Sequence, residues 1–307
     1  MELLKQLCEI HAPSGSEYAM TEFLLAYIKK NQTKWKVKPK VIYGEGFQDN
    51  IILVFGKPRT AIYAHMDSIG YTVGYKNNLI KIGGPAAKKG AKLVGEDRKG
   101  KIDGTLETNM DEHEFLTYSL KFKREVDRAT TLTYKPEFKE TKDYVQCCYM
   151  DNRLGVWNAL QVAETLENGA IVFSSWEEHG GGTVGYLGGY LYEHYGVKQA
   201  LISDITWVTE GVKHGKGVAI SMRDSGIPRR TYLNRILEIA NASDIPYQLE
   251  VESAGGSDGN GLQRSSYPID WCFIGAPEDH VHMPNEKVHK KDIESMVAMY
   301  RLLMVNL

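Results

Sequence analysis

AIVFSSWEEHGGG (170–182) runs four apolar residues, 170–173, into two adjacent carboxylates, Glu177 and Glu178, then a histidine and three glycines. The apolar part is short enough for a buried strand. Just before it, residues 152–167 place Val156, Ala159, Leu160, Ala163 and Leu166 on one face of a helix. The pattern repeats downstream. QALIS (199–203), GVAISM (217–222), YQLEVE (247–252) and DWCFIG (270–275) read as strands, with helices over 183–195 and 228–241. A last helix is marked by Ile293, Met296, Val297, Tyr300 and Leu303. Upstream, NIILVFG (50–56) and TAIYAH (60–65) are strand-like. They follow a helix with Met20, Phe23, Leu24, Tyr27 and Ile28 on one face, and Ser14 and Glu17 have capping-box spacing at its start. Helix alternating with strand predicts an α/β fold with a largely parallel sheet covered on both faces. Such sheets bind ligands at the carboxyl ends of their strands.

Residues 71–147 differ in character. They consist of short alternating runs broken by glycine, proline and lysine, such as YTVGY, LIKIGG and YSLKFK, without a helix of normal length. This predicts a small β-rich unit inserted into a larger one made of 1–70 and 148–307.

The chain has 307 residues, 42% hydrophobic and 25% charged, with a formal net charge of −2. That balance points to a globular protein and away from nucleic-acid or anionic-membrane partners. No apolar run approaches the ~20 residues of a membrane span, and the start lacks the pattern of a signal peptide. The four cysteines, Cys8, Cys147, Cys148 and Cys272, form no C-x-x-C pair and are too scattered for a disulfide framework. A reducing cytoplasm is expected, and any metal must be held by histidines and carboxylates.

Five apolar runs finish in such groups. His65 and Asp67 end TAIYAHMD, Asp151 follows VQCCYM, Glu177 and Glu178 follow AIVFSSW, and Asp204 ends QALISD. His280 and His282 follow DWCFIGAPED. Singly, each reads as a turn residue, a helix cap or a solvated charge. Together they crowd one sheet edge with carboxylates that need partners, and divalent cations supply the missing charge. Two histidines with several carboxylates suit Zn²⁺, Co²⁺ or Mn²⁺ in a catalytic site. Asp67 can fix the tautomer of His65. The surplus of carboxylates suits two metals ~3.5–4 Å apart.

A serine-hydrolase reading competes. HGGG (179–182) resembles a lipase oxyanion loop, and GGSDG (255–259) matches G-x-S-x-G with Ser257 as nucleophile, Asp270 or Asp279 as acid and His282 as base. Only 25 residues separate Ser257 from His282, too few for the elements between them in that fold, and AHMD, MDNR and the Glu-Glu pair stay unexplained.

AHMDSIG (64–70), YMDNRLGV (149–156), WEEHGGG (176–182), ISDIT (202–206), GGSDGNGLQ (255–263) and HVHMPNEKVHKKDIE (280–294) resemble, in order and spacing, the dinuclear-metal aminopeptidases. The nearest group is the glutamyl and deblocking aminopeptidases that form tetrahedral particles, with endoglucanase-labelled relatives. IGGPAAKKGAKLVG…GKIDGTL (82–106) and the opening LLKQLCEIHAPSGSE also look like that family.

The resemblance implies a mixed-sheet α/β/α sandwich of the zinc-exopeptidase type, with a small inserted β-barrel or PDZ-like domain used in homo-oligomerisation. It implies two divalent ions per subunit, zinc by expectation. Asp151 would bridge them, His65 and Asp204 would complete one, and Glu178 and His282 the other. His282 is preferred to His280 because the chain reads His282-Met283-Pro284-Asn285-Glu286, the family's His-x-Pro-x-Glu. Glu177 would be the general base and Asp67 would support His65. The reaction would be release of N-terminal residues from peptides by a bridging hydroxide. A carboxypeptidase, an N-acyl deacylase and an inactive metal-binding scaffold are the remaining alternatives. The chain departs from the family at Asn152, where many relatives have aspartate, at His179–Gly182, read as an unusual and mobile substitution, and in its short insertion.

Overall fold

The computed structural model describes residues 1–110 and 112–307. In α1 (Glu2–Glu9), Leu4, Leu7 and Cys8 share one buried face. α2 (Tyr18–Asn31) buries Met20, Leu24 and Ile28, one residue per turn. β1 (Lys40–Gly44) and β2 (Gln48–Phe55) form an antiparallel pair, followed by β3 (Thr60–His65). Along β2 the side chains alternate between two cores: Ile51, Leu53 and Phe55 enter one, Ile52 and Val54 the other. A strand apolar on both sides belongs inside a sheet covered on both faces.

The capping box expected at Ser14 and Glu17 does not form. The first turn of α2 has no side-chain cap. Ser14 Oγ donates instead to Asp67 Oδ2 at 2.6 Å, and Glu17 Oε1 accepts from the Trp176 N–H at 3.1 Å. Groups distant in sequence outcompete the local bonds, because a hydrogen bond to an ionised carboxylate is stronger than one to a peptide group.

The middle of the chain forms a second, all-antiparallel sheet. Its strands are β4 (Gly70–Val73), β5 (Leu79–Ile82), β6 (Lys92–Asp97), β7 (Gly100–Met110), β8 (Leu116–Lys121) and β9 (Thr131–Tyr134). The order is β5-β4-β9-β6-β7-β8, and a bridge between Asn78 and Ser119 brings its two edges together into a nearly closed barrel. Leu93, Ile102, Leu106, Leu120 and Leu132 fill it. The chain then returns to the large sheet through β10 (Lys139–Glu140) and β11 (Tyr144–Gln146).

The remainder alternates helix and strand: α3 (Met150–Ala163), β12 (Gly169–Ser174), α4 (Val184–Tyr195), β13 (Gln199–Trp207), β14 (Val218–Arg223), α5 (Arg230–Asn241), β15 (Tyr247–Val251), α6 (Asp258–Arg264), β16 (Asp270–Asp279), β17 (Lys287–His289) and α7 (Lys290–Asn306). Among the described residues the large sheet is 11-stranded, with the path β1-β2-β12-β3-β13-β16-β17-β11-β10 and β14 and β15 attached beside β16. Its centre, β12-β3-β13-β16, is parallel, and so is the outlying pair β14-β15. β2, β14 and β17 join antiparallel, so the sheet is mixed. Residues from α1, α2, α3, α5 and α7 pack in one core, and those from α4 and α6 in the other. The result is an α/β/α sandwich with a barrel-like insertion. Because the central strands are parallel and in register, their carboxyl ends share one edge: Ser174 pairs with His65, and Ile202 with Tyr63.

Candidate metal centre

That edge collects the residues singled out from sequence. His65 is the last residue of β3, and Asp204 lies within β13. Glu177 and Glu178 follow β12, Asp151 opens α3, and His282 lies between β16 and β17. His65 Nε2 lies 3.1 Å from Asp151 Oδ1 and 3.5 Å from Asp204 Oδ2. His282 Nε2 lies 3.3 Å from Asp151 Oδ2 and 3.2 Å from Glu178 Oε2. Two triads result, His65-Asp151-Asp204 and Asp151-Glu178-His282, each with donor atoms within 4.8 Å of one another. Asp151 belongs to both, one oxygen to each. Glu177 belongs to neither, with its Oε2 4.0 Å from His65 Nε2. His280 is exposed and stands apart.

Local backbone explains the aim of these side chains. Asp151 and Asn152 are non-helical at the mouth of α3, with ψ of 103° and 41°, and the peptide bond between them is cis. Trp176 and His282 adopt left-handed backbone, φ 64° and 63°. Non-glycine residues hold that conformation only where their surroundings impose it, commonly at functional sites. Glu286 imposes it at His282, accepting from the His282 N–H at 3.0 Å and, through its other oxygen, from the Asp151 N–H at 3.4 Å. Asp67 does the equivalent for the Glu-Glu turn. It accepts from the N–H groups of Glu177 and Glu178, both at 3.1 Å, while its Oδ1 lies 3.4 Å from His65 Nδ1.

The electrostatics favour positive charge. Burial pushes Glu178 to about 7 and Asp204 to about 6, and the Asp151 charge adds to both. Burial also drives Glu177 well above the carboxylate range. His282 is pushed up to about 12: burial opposes its charge, but Asp151 and Glu178 outweigh it. Against the same opposition from burial, Asp204, Asp151 and Asp67 hold His65 well above its ordinary value. Glu178 Oε1, in a side chain only 4% exposed, has no hydrogen-bond partner among the described residues. Imidazole nitrogens and carboxylate oxygens, buried together with one acceptor unspent, are the donor set of a divalent ion. The residues fit two.

Several participants were not legible in the sequence. The Arg153 guanidinium is fully buried and donates to the carbonyls of Met66, Asp67, Ile10 and Ala12, pinning the end of β3. An arginine in a helix's first turn carries no signal of this. Glu17 is another buried carboxylate, raised to about 7 by burial, and it steadies the Trp176 turn. Glu286 was marked as the end of His-x-Pro-x-Glu, and Glu17 only as part of a helix cap. Asp258, within GGSDG, is buried at the start of α6, where it accepts from Ser174 Oγ.

The serine-hydrolase constellation does not assemble. Ser257 Oγ caps α6 by accepting from the Gly259 N–H at 3.2 Å, whereas His282 Nε2 faces Asp151 and Glu178. His179, expected in a mobile stretch, accepts at Nδ1 from the Gly83 N–H at 3.0 Å, and the Gly182 N–H closes a turn onto the Trp176 carbonyl at 3.0 Å.

The family model of the M42 glutamyl aminopeptidases matches residues 119–299. A protein of Acetivibrio thermocellus, provisionally named an aminopeptidase, is 35% identical over 89 residues. That segment is 29% of this chain and 27% of the relative, so the chain spans little more than a quarter of that relative's length. Among solved structures, a TET aminopeptidase from the marine sediment archaeon Thaumarchaeota archaeon SCGC AB-539-E09 superposes with a TM-score of 0.85 at 18% identity, over 100% of this chain and 96% of that one. An aminopeptidase from the archaeon Desulfurococcus kamchatkensis gives 0.84 at 21% identity, over 99% and 93%. The Pyrococcus horikoshii TET1 peptidase, which can assemble into a tetrahedron or a large octahedral shell, gives 0.80 at 24%, over 100% and 99%. At these identities the three structures establish a common fold.

Proposed function

This chain belongs to the M42 glutamyl aminopeptidase family, and from that membership and the geometry of the centre we propose that it is a metal-dependent aminopeptidase. The observation that carries the proposal is Asp151, whose two oxygens face two different histidines. A carboxylate shared between two ions needs that arrangement. His65 and Asp204 would complete one ion, Glu178 and His282 the other. Zinc suits these donors, with cobalt or manganese as alternatives. Divalent ions held there would lower the pKa of a water and polarise the scissile carbonyl.

Glu177 is assigned the proton work. It lines the same cavity yet stands outside both triads, so its carboxylate is free to take a proton from the attacking water and return it to the leaving amine. Asp67 orients His65 and, through two backbone N–H groups, the Glu177–Glu178 turn. A free α-amino group would need an acidic or metal partner at this centre, which would restrict cleavage to the N-terminus.

The assembly of the Pyrococcus horikoshii peptidase supports a homo-oligomer here. The unit 71–147, inserted between 1–70 and 148–307, is assigned to that contact, with 139–146 fastened by pairing to the large sheet. Four buried, unpaired cysteines support a cytoplasmic setting. Among the described residues no helix is long and apolar enough to cross a membrane.

The test measures metal content and N-terminal residue release before and after chelation, and again after zinc is restored. Glu177→Gln should lower turnover by about 10² or more with both ions retained. Loss of metal in Glu177→Gln would reverse the roles given to the two glutamates. Activity that survives chelation would overturn the reading.

A further inference from the structure

The cavity that holds the centre extends beyond it. Its volume is about 510 Å³. Past the two triads its wall is formed by Thr206, Asp224, Glu250, Glu252 and Phe273. Both triads line this same cavity, so the residue beside the scissile bond would occupy its outer part.

Charge divides this space into two parts. Two divalent ions would neutralise the inner carboxylates, Asp151, Glu177, Glu178 and Asp204. Among the described residues no lysine or arginine lines the cavity beside Asp224, Glu250 and Glu252, and the Arg223 charge acts on Asp224 only as the smallest of its lowering influences. Asp224 and Glu250 are 6% and 3% exposed, and burial pushes both carboxyls above their ordinary range. Buried carboxylates in that condition gain by meeting a cation. The adjacent Arg223 does not serve through its Nε, which donates to the Asp224 main-chain carbonyl at 3.3 Å.

Distance narrows the choice of cation. Asp204 and Thr206 are two residues apart on β13, so their side chains share a face and stand about 6–7 Å apart along the strand. Thr206 Oγ1 donates to Glu250. Glu250 is therefore about one long side chain away from the scissile position, a span that the four-carbon stem of lysine crosses, and Asp224 lines the same cavity. Phe273 and Ile205 offer apolar wall for that stem.

We propose that this enzyme prefers substrates beginning with lysine or arginine, with Glu250 and Asp224 receiving the side-chain cation and Glu252 standing at the half-buried rim. The proposal rests on the aminopeptidase reading above. It runs against the residue in the family's descriptive name: an N-terminal glutamate would meet three like charges.

The metal-loaded full chain is assayed on anilides of lysine, arginine, norleucine and glutamate. Norleucine matches the lysine stem without its charge. Lysine and arginine should exceed norleucine in kcat/KM by about tenfold or more, the worth of one charge-assisted hydrogen bond, with glutamate lowest. Glu250→Gln should bring the lysine-to-norleucine ratio to within about threefold. Glu252→Lys, at a less buried position, should lower the same ratio and serves if Glu250→Gln does not fold. Calorimetry with lysinamide and norleucinamide on Glu177→Gln reads the same preference without turnover. Norleucine or glutamate cleaved as fast as lysine would overturn the preference and leave the aminopeptidase reading intact. Equal losses on lysine and norleucine in Glu250→Gln would place Glu250 at the α-ammonium and also overturn it. If no substrate is cleaved with both ions bound, the aminopeptidase reading itself fails, and equal binding of the two amides would remove the preference as well.

Discussion

Asn152 donates from Nδ2 to the Ser203 carbonyl at 2.8 Å, tying the residue after Asp151 to the residue before Asp204. Its Oδ1 accepts from the Gly155 N–H at 2.9 Å. Both bonds are buried, and an aspartate there would turn an acceptor toward the Ser203 carbonyl. Asn152→Ala should cost about 2–3 kcal/mol, the loss of two buried hydrogen bonds, and weaken metal binding because two ligands lose their common brace. Urea unfolding and a metal titration on the same preparation check this. A destabilised variant with undiminished affinity would limit Asn152 to a structural role.

One turn further along α3, the helix approaches β13 too closely for any side chain. A Cβ on Gly155 would lie 2.0 Å from the Ser203 carbonyl oxygen and 2.1 Å from Asn152 Oδ1. The first of these is backbone in the central sheet and cannot swing aside. Gly155→Ala should therefore destabilise by about 3 kcal/mol or more, lowering the thermal midpoint with or without metal. A variant as stable as the parent would mean that α3 can shift along β13.

These two residues show where legibility ends. The sheet centre was readable because β3 and β12 are apolar on both faces and need no neighbour to identify them. The candidate ligands were readable because His65, Asp151, Glu178, Asp204 and His282 each interrupt or follow an apolar run. α1 and β1 were not anticipated: one is short, and β1 is an edge strand with little burial. Asn152, Arg153 and Glu17 act through partners 51, 87 and 159 positions away. No local pattern encodes such distances, and the Ser14–Glu17 spacing pointed to a helix cap because only the local partner was visible.

Asp67 offers a test of support without ligation. Besides facing His65, it accepts from Ser14 Oγ at 2.6 Å and from the two N–H groups of the Glu177–Glu178 turn. Asp67→Asn keeps the shape but surrenders one acceptor and the charge. Metal affinity should fall about 10–100-fold, as for other partners of ligating histidines. Ser14→Ala, which removes one of these bonds, should fall less. Competition with a chromogenic chelator measures both, and equal effects would argue that Asp67 acts through Ser14 alone.

Acid should loosen the barrel before it reaches the sandwich. Asp97 accepts from Arg124 Nη1 and Nη2 at 2.6 and 2.7 Å, from the Lys99 N–H at 2.9 Å and from the Asp127 N–H at 3.1 Å. Its pKa is lowered, chiefly by the bonds from Arg124. A carboxyl depressed in the folded state contributes stability above its unfolded pKa of ~3.9 and loses it as pH falls further. Hydrogen exchange in β6 and β7 should accelerate below that pH, and Arg124→Ala should flatten the dependence. An unchanged pH profile in Arg124→Ala would transfer the effect to another carboxylate.

Gly83 and Gly84 join the barrel to the centre through two histidines. The Gly83 N–H donates to His179 Nδ1 at 3.0 Å, and His282 Nδ1 lies 3.2 Å from the Gly84 carbonyl, which can only accept. His179 then carries its proton on Nε2 and His282 donates from Nδ1, leaving His282 Nε2 for the triad. Gly83 has φ +66°, and a Cβ there would lie 2.9 Å from the Glu178 carbonyl oxygen. His179→Ala removes an acceptor that water can replace, because Gly83 is only half-buried. Its stability should change by less than about 1 kcal/mol, with kcat/KM falling by a few-fold at most. Gly83→Ala drives against the Glu178 backbone itself and strains the turn. It should lower kcat/KM by about tenfold or more and weaken the ion that Asp151, Glu178 and His282 would share, which metal analysis would show as one ion lost before the other. If His179→Ala proved the more damaging of the two, the histidine would be acting on substrate and not on the loop.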